Sequence, residues 1–262
     1  HIIVNGRASD RDTDSLLIDL NAVDVEYVLN LVNFHSVKFD GDASGRAVIV
    51  APFGKMSAYA KLNVNNFLFE NGRMGVLNAN VDWNADEKQI DIHAVADDGP
   101  EAQTLIDGYV SPSRNHIDLA LNAQGTYIDF LHSFTKSFIS DVTGHANGTL
   151  RLAGPLNKIN LTGKVTVNKA EAMISPLNCR YYIDGQTIEL IPNEIKLDGV
   201  TLRDAEGHEG HVSGSLYHKS LTRLSYNLDI AADNLLAYDF RDFGNNTFYG
   251  TVFGTGNVAI KG

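Results

Sequence analysis

Residues Gly144–Asn168, GHANGTLRLAGPLNKINLTGKVTVN, hold two runs of strict alternation on either side of a turn at Gly154-Pro155. Leu150 and Leu152 form the first apolar set; Ile159, Leu161, Val165 and Val167 form the second. Arg151, Asn160, Thr162, Lys164 and Thr166 fall between them. A period of two places successive side chains on opposite faces, so the stretch predicts two strands with one apolar and one wet face.

The stretch occurs once before. Gly41–Asn65, GDASGRAVIVAPFGKMSAYAKLNVN, aligns with it without a gap at an offset of 103 residues. Gly41/Gly144, Ala43/Ala146, Gly45/Gly148, Pro52/Pro155, Lys55/Lys158, Lys61/Lys164, Val64/Val167 and Asn65/Asn168 are identical pairs. The apolar set matches too: Ala47, Ile49, Met56, Ala58, Leu62 and Val64 answer Leu150, Leu152, Ile159, Leu161, Val165 and Val167. Retention of turn residues and face together marks an internal repeat. A third copy begins at Gly256–Gly262, which matches Gly148–Gly154. Approximate repeat units are 20–123, 124–232 and the start of a third at 233–262. The missing initiator Met and a stop within a copy point to a piece of a longer chain.

Composition limits the possibilities. The 262 residues include 23 Gly and only 6 Pro, with many Asn, Asp and Thr, as short strands and turns require. A net charge of −11 with no Lys/Arg cluster argues against nucleic acid. The single cysteine, Cys179, allows no internal disulfide. No apolar run approaches the roughly 20 residues of a membrane span.

Along the chain, Asn5–Asp14 reads as a polar turn or frayed end and Leu16/Ile18/Leu20 as a strand. Val25, Val28, Leu29 and Val32 sit at helical spacing within Val25–Phe39. After the first repeat strands come Leu77/Ala79/Val81/Trp83, Ile90/Ile92/Ala94, a turn at Asp97–Pro100, and Ile117/Leu119/Leu121. Thr126–Ser140 predicts a second short helix through Tyr127, Phe130, Leu131, Phe134 and Phe138, at the same place in its unit as the first. Ile188/Leu190, Ile195/Leu197, Val212/Leu216 and Leu224/Tyr226/Leu228/Ile230 continue the strands. The expected fold class is therefore all-β: an elongated repetitive sheet stack with an apolar interior and one or two short helices.

The motifs that suggest chemistry are weak. Asp10, Asp12 and Asp14 have the opening spacing of a calcium loop, but its sixth position is Ser15 rather than Gly and its twelfth Asn21 rather than Glu. His208-Glu-Gly-His211 has two imidazoles in a glycine-rich segment, read as a loop and not as a zinc-binding helix. Gly254-Thr-Gly256-Asn-Val-Ala259 imitates a dinucleotide fingerprint but falls where the repeat requires a strand. Asp129, Glu189 and Glu194 alternate with apolar residues as solvated strand positions do. No Ser, nor Cys179, lies in a nucleophile motif. No enzyme, metal or cofactor is expected.

The pattern G-x-A-x-G-x-L-x-L-x-G-P-L at Gly144–Leu156, with its partner at Gly41–Phe53, resembles the TamB-like family, the translocation and assembly module subunit related to AsmA-like envelope proteins. Ile195–Asp204 with Gly207, Gly210 and Gly214, and Phe248–Gly250 with Gly254–Gly262, resemble its repeats; the pairs Tyr217-His218 and Tyr249-Gly250 resemble versions from Bacteroidetes. The resemblance implies a periplasmic body of taco-like, open half-pipe form in an inner-membrane-anchored protein reaching the outer membrane. It implies partners of two kinds: phospholipid acyl chains, and an outer-membrane barrel of the assembly-module type.

Alternation fits both a sealed core and an open trough and by itself points first to the core; the resemblance turns the expectation to the trough. Its expected lining is Ala47, Ile49, Met56, Leu62, Val64, Leu150, Leu152, Ile159, Leu161, Val165, Val167, Ile188, Leu190, Ile195 and Leu197. Lipid transfer between membranes is the first functional expectation. Strand pairing with outer-membrane proteins in transit is the second. A polysaccharide enzyme or adhesin ranks third, because the one Trp, Trp83, alternates with the apolar set.

Overall fold

The computed structural model describes residues 1–31, 37–219, 222–241 and 248–262. The fold is all-β, a single large sheet with two short helices. Its strands are β1 (Ile2–Gly6), β2 (Ser15–Asp24), β3 (Phe39–Val50), β4 (Ser57–Phe69), β5 (Gly72–Asn84), β6 (Gln89–Asp97), β7 (Gln103–Ser111) and β8 (His116–Tyr127). They continue with β9 (Ile139–Pro155), β10 (Asn160–Ile174), β11 (Cys179–Ile183), β12 (Gln186–Ile191), β13 (Glu194–Arg203), β14 (Glu209–Lys219), β15 (Thr222–Phe240) and β16 (Gly250–Lys261). The helices are α1 (Val25–Leu31) and α2 (Leu131–Thr135). Spatial order follows chain order, except that β11 and β12 both pair with β10 and with β13.

Two compact units emerge: His1–Thr126 with Thr149–Asn160, and Tyr127–Gly148 with Leu161–Gly262. In the first, antiparallel register stacks the alternating residues into columns across the strands. One column runs Val23–Ala43–Val64–Leu77–Ala96–Thr104–Ala123, and the next Leu20–Gly45–Leu62–Ala79–Ala94–Ile106–Leu121. A third runs Ile18–Ala47–Ala60–Val81–Ile92–Gly108–Leu119. The opposite face is polar: Arg46 Nε donates to Asp19 Oδ1 at 2.6 Å, Asn63 Nδ2 to Asn78 Oδ1 at 3.0 Å, and Arg151 Nε to Asp118 Oδ1 at 2.6 Å. These cross-strand pairs hold register as well as hydration.

The strands also bend. Residues with left-handed backbone stand where pairing shifts: Ala22 (φ 48°) between Leu20 and Val23, Asn66 (φ 52°) between Val64 and Phe67, and Asn234 (φ 50°) between Ala232 and Leu235. Such bulges turn a strand sharply. In the first unit the bend is filled by Ala43, Val64, Phe67 and Ala96, with Val25 of α1, Phe39, Met74 and Leu77 packed against them. The Phe39 and Phe67 rings stack at 5.9 Å.

In the second unit the far leg of β15 is fastened to the β10–β11 turn. Asp239 N donates to Leu177 O (3.0 Å), Asn178 Nδ2 to Asp239 O (2.5 Å), and Tyr181 Oη to Leu236 O (2.6 Å). The Asp204 carboxylate, whose side chain is wholly buried, accepts N–H groups of Leu236 (2.8 Å), Glu206 (2.9 Å) and His208 (2.9 Å), and faces His208 Nδ1 at 3.0 Å. Burial alone would raise its pKa; the Leu236 amide, the His208 ring and the other two amides outweigh it and hold the group below its ordinary value. Burial pushes the neighbouring Tyr181 phenol and Cys179 thiol up.

Several expectations are corrected. Both helices are shorter than the apolar spacing suggests. Phe39 opens β3, Tyr127 ends β8, and Ile139 opens β9; Val32 lies outside the described residues. Ile128 N donates to Gly144 O, so pairing between chain segments claims residues that a costly helix nucleus would need. Asn5 lies in β1 and not in a turn. Strands β1, β7 and β11 add to the expected set. Gly254–Ala259 lies within β16, as the repeat requires.

The repeat identities now have a cause. Gly45 (φ 147°) and Gly148 (φ 148°) are crossed by the neighbouring strand so closely that a Cβ would meet Lys61 O at 2.1 Å and Lys164 O at 2.3 Å. Replacing Gly45 by Ala is expected to cost about 3 kcal/mol in urea unfolding. Gly185→Ala, left-handed (φ 65°) but with nothing within 4 Å of its Cβ, should cost about 1 kcal/mol. A second expected outcome concerns Asp204. With a native pKa below the unfolded one, its stabilisation is complete above the ordinary carboxylate value and is lost as pH falls through the depressed one. Asp204→Ala should remove about 3 kcal/mol at pH 7 by stranding buried amides, and much less near pH 2, as urea titrations at the two pH values would show.

Candidate apolar site

The stripe expected from alternation exists, but its members fall into two environments. Val64 (4% exposed), Leu152 (3%), Ile159 (2%), Leu161 (6%), Val165 (8%) and Val167 (6%) are sealed. Ala47, Ile49, Met56, Leu62, Leu150, Ile188, Leu190, Ile195 and Leu197 are half-buried. Met56 precedes β4 in a turn, its N–H donating to Gly54 O.

The half-buried members form continuous patches within each unit. In the first, Leu62, Val81, Ile92, Ile106 and Leu121 occupy adjacent columns, and Ile49, Trp83, Ile90 and Val110 stand in the next column along. In the second, Leu190 pairs with Ile195, Ile195 with Leu216, and Leu216 with Tyr226; Leu228 and Ile230 continue beside them. Each is an apolar shelf next to a sealed bend. Val81, Trp83, Ile92, Ile106, Leu121, Leu216, Leu228 and Ile230 were not in the expected lining, although the same alternation carries them.

At the rims, two strands carry apolar side chains well into solvent: Ile2 (51%), Ile3 (56%) and Val4 (56%) on β1, and Val252 (52%), Val258 (52%) and Ile260 (37%) on β16. Among the described residues no three His, Cys, Asp or Glu side chains cluster as metal ligands. Asp14 takes the Ser9 hydroxyl at 2.7 Å and lies 3.7 Å from Arg7. His208 faces Asp204, whereas His211, on strand β14 and not in a loop, faces Thr201 Oγ1 at 3.1 Å. Glu189 pairs with Lys164 at 3.4 Å and Glu194 accepts from Ser215 Oγ at 2.6 Å, so both are outer-face partners. No helix among the described residues is long and apolar enough to cross a membrane, which says nothing of a β-barrel.

No protein-family profile matches this chain, and neither a curated protein nor a solved structure is significantly similar to it.

The two environments predict different responses to the same change. Leu161→Asp places an unpaired charge in a sealed site and should unfold its unit at room temperature. Leu216→Asp, on the shelf, should lower stability by no more than about 2 kcal/mol, because its carboxylate keeps contact with water. Chemical denaturation of the two variants measures both.

Proposed function

We propose that the chain is a non-enzymatic conduit segment of a cell-envelope protein, whose apolar shelves carry lipid acyl chains between membranes. The observation that supports this reading is the half-burial of large aliphatic side chains at neighbouring positions on one sheet face, interspersed with alanine and glycine and set beside bends that are fully sealed. A monomer rarely leaves a contiguous apolar face part-wet unless something occupies it. An acyl chain laid there gains about 0.8 kcal/mol per CH₂ removed from water. Strands succeed one another about every 4.8 Å, and similar residues at each step favour sliding over trapping. The headgroup stays at the mouth, so a charged pocket is unnecessary. By resemblance to the TamB-like proteins, the segment belongs in the periplasm, within an inner-membrane-anchored protein that meets a barrel partner at the outer membrane.

A scaffold reading draws on the exposed edge strands β1 and β16, which could accept a strand from an outer-membrane protein in transit.

Trp83, the only tryptophan, stands on the shelf opposite Ile90 and is half-buried. Fatty acids brominated along the chain should quench its emission by half or more, while their unbrominated counterparts should not. Absence of quenching at saturating lipid would sink the conduit proposal. In cells, a photo-crosslinker at Leu190 should form lipid adducts and one at the outer-facing Glu189 none; protein adducts at β16 instead would favour the scaffold.

A further inference from the structure

The outer wall of the second unit departs from its own repeat. In the first unit β5 and β6 pair without interruption from Val76–Asp97 to Asn84–Gln89. The strands at the corresponding place in the second unit are β11–β12 and β13. They meet only at Glu189–Lys196, Leu190–Ile195, Ile191–Glu194 and Tyr182–Arg203. Among the described residues, Leu197–Leu202 therefore has no ladder partner on that side. Two left-handed glycines open the gap: Gly185 (φ 65°) between β11 and β12, and Gly199 (φ 62°) at the β13 bulge. Across it the Gln186 side chain replaces a ladder carbonyl, its Oε1 accepting Thr201 N–H at 3.2 Å.

A cavity of about 220 Å³ lies over the gap, lined by Tyr182, Asp184, Gln186, Thr201, Arg203 and Glu209. Its chemistry narrows the occupant. The polar lining is wrong for an acyl chain. Two carboxylates against one guanidinium, which already pairs with Glu209, disfavour phosphate or carboxylate. No third metal ligand stands beside Asp184 and Glu209 among the described residues. What remains is a neutral ligand rich in hydroxyls. Gln186 is occupied at both ends, its Nε2 donating to Asp184 O at 3.2 Å, and Asp184 Oδ1 takes Lys169 N–H at 2.8 Å. The second oxygens of Asp184 and Glu209 and the remaining guanidinium N–H groups of Arg203 are the hydrogen-bonding capacity left for hydroxyls, and Tyr182, 38% exposed, offers an amphipathic ring.

We infer that this slot binds a sugar ring. The inference stands apart from the lipid reading, because a sugar without a tail suffices. Two sources share the chemistry, a soluble saccharide and the sugar headgroup of a lipid.

The test is saturation-transfer NMR on the intact chain with the methyl pyranosides of glucose, galactose, mannose and N-acetylglucosamine. Ring-proton saturation should appear for at least one of them. Glu209→Gln and Tyr182→Leu should each weaken that binding tenfold or more without changing the melting temperature by more than a few degrees. Comparing the methyl glycoside with its octyl analogue below micelle concentration separates the sources: tenfold tighter binding of the octyl form identifies a lipid headgroup, equal binding a soluble sugar. No saturation from any of the four sugars, or saturation that both variants leave unchanged, overturns the proposal.

Discussion

Backbone register is the constraint on which everything else in this molecule rests. A strand that slipped by one residue would send Leu62, Val64 and their neighbours to the wet face and bring Lys61 and Asn63 inward. The sequence resists this at two levels. Outer-face pairs such as Arg46 with Asp19 and His93 with Asp107 fix which residues stand opposite one another. Close backbone crossings at Gly45 and Gly148 fix it sterically, since no other residue fits where a strand carbonyl approaches to about 2 Å of a would-be Cβ. The recurrence of Gly45 as Gly148 follows from this crossing, since in each repeat a main-chain carbonyl of the next strand occupies the space of a Cβ.

Given register, stability concentrates at the bends. The Val64–Phe67 corner in the first unit and the region around Cys179, Val200, Leu235 and Leu236 in the second are sealed to a few per cent exposure. Each fully buried aliphatic or aromatic side chain contributes about 1.5–3 kcal/mol. The shelves contribute less per residue and are thereby free to remain part-wet. Asp204 shows how far the second corner depends on polar satisfaction. A single carboxylate caps its own turn and also holds the adjoining leg of β15 through Leu236.

Much of this was legible because alternation is a direct readout of a two-faced strand. The repeated stretches, β5, β6, β8 and the β12–β15 run follow from it. Strand β7 escaped for a physical reason: Thr104 and Gly108 occupy inner columns while Leu105 and Tyr109 lie on the outer side, so polarity no longer reports the face. The helices were overdrawn because spacing at Val25–Val32 and Tyr127–Phe138 records apolar positions without recording which of them the flanking strands claim. Sealed and half-buried members of the stripe cannot be told apart from alternation either. Leu152 and Leu150 are chemically identical, and only the bends and closures decide which of them is covered. The outer slot was invisible for a related reason, since a missing ladder leaves no mark on residue types.

Chain order and spatial order coincide almost throughout, and that has a kinetic consequence. Each hairpin can form from its own turn and template the next, at small loop-closure cost, so assembly proceeds by zipping between neighbours and contact order stays low for an all-β protein. The fastening of β15 is the exception. Tyr181 to Leu236 and Asn178 to Asp239 join residues 55 and 61 positions apart. Those bonds must wait until the intervening strands are in place, which makes the second corner the last part to close.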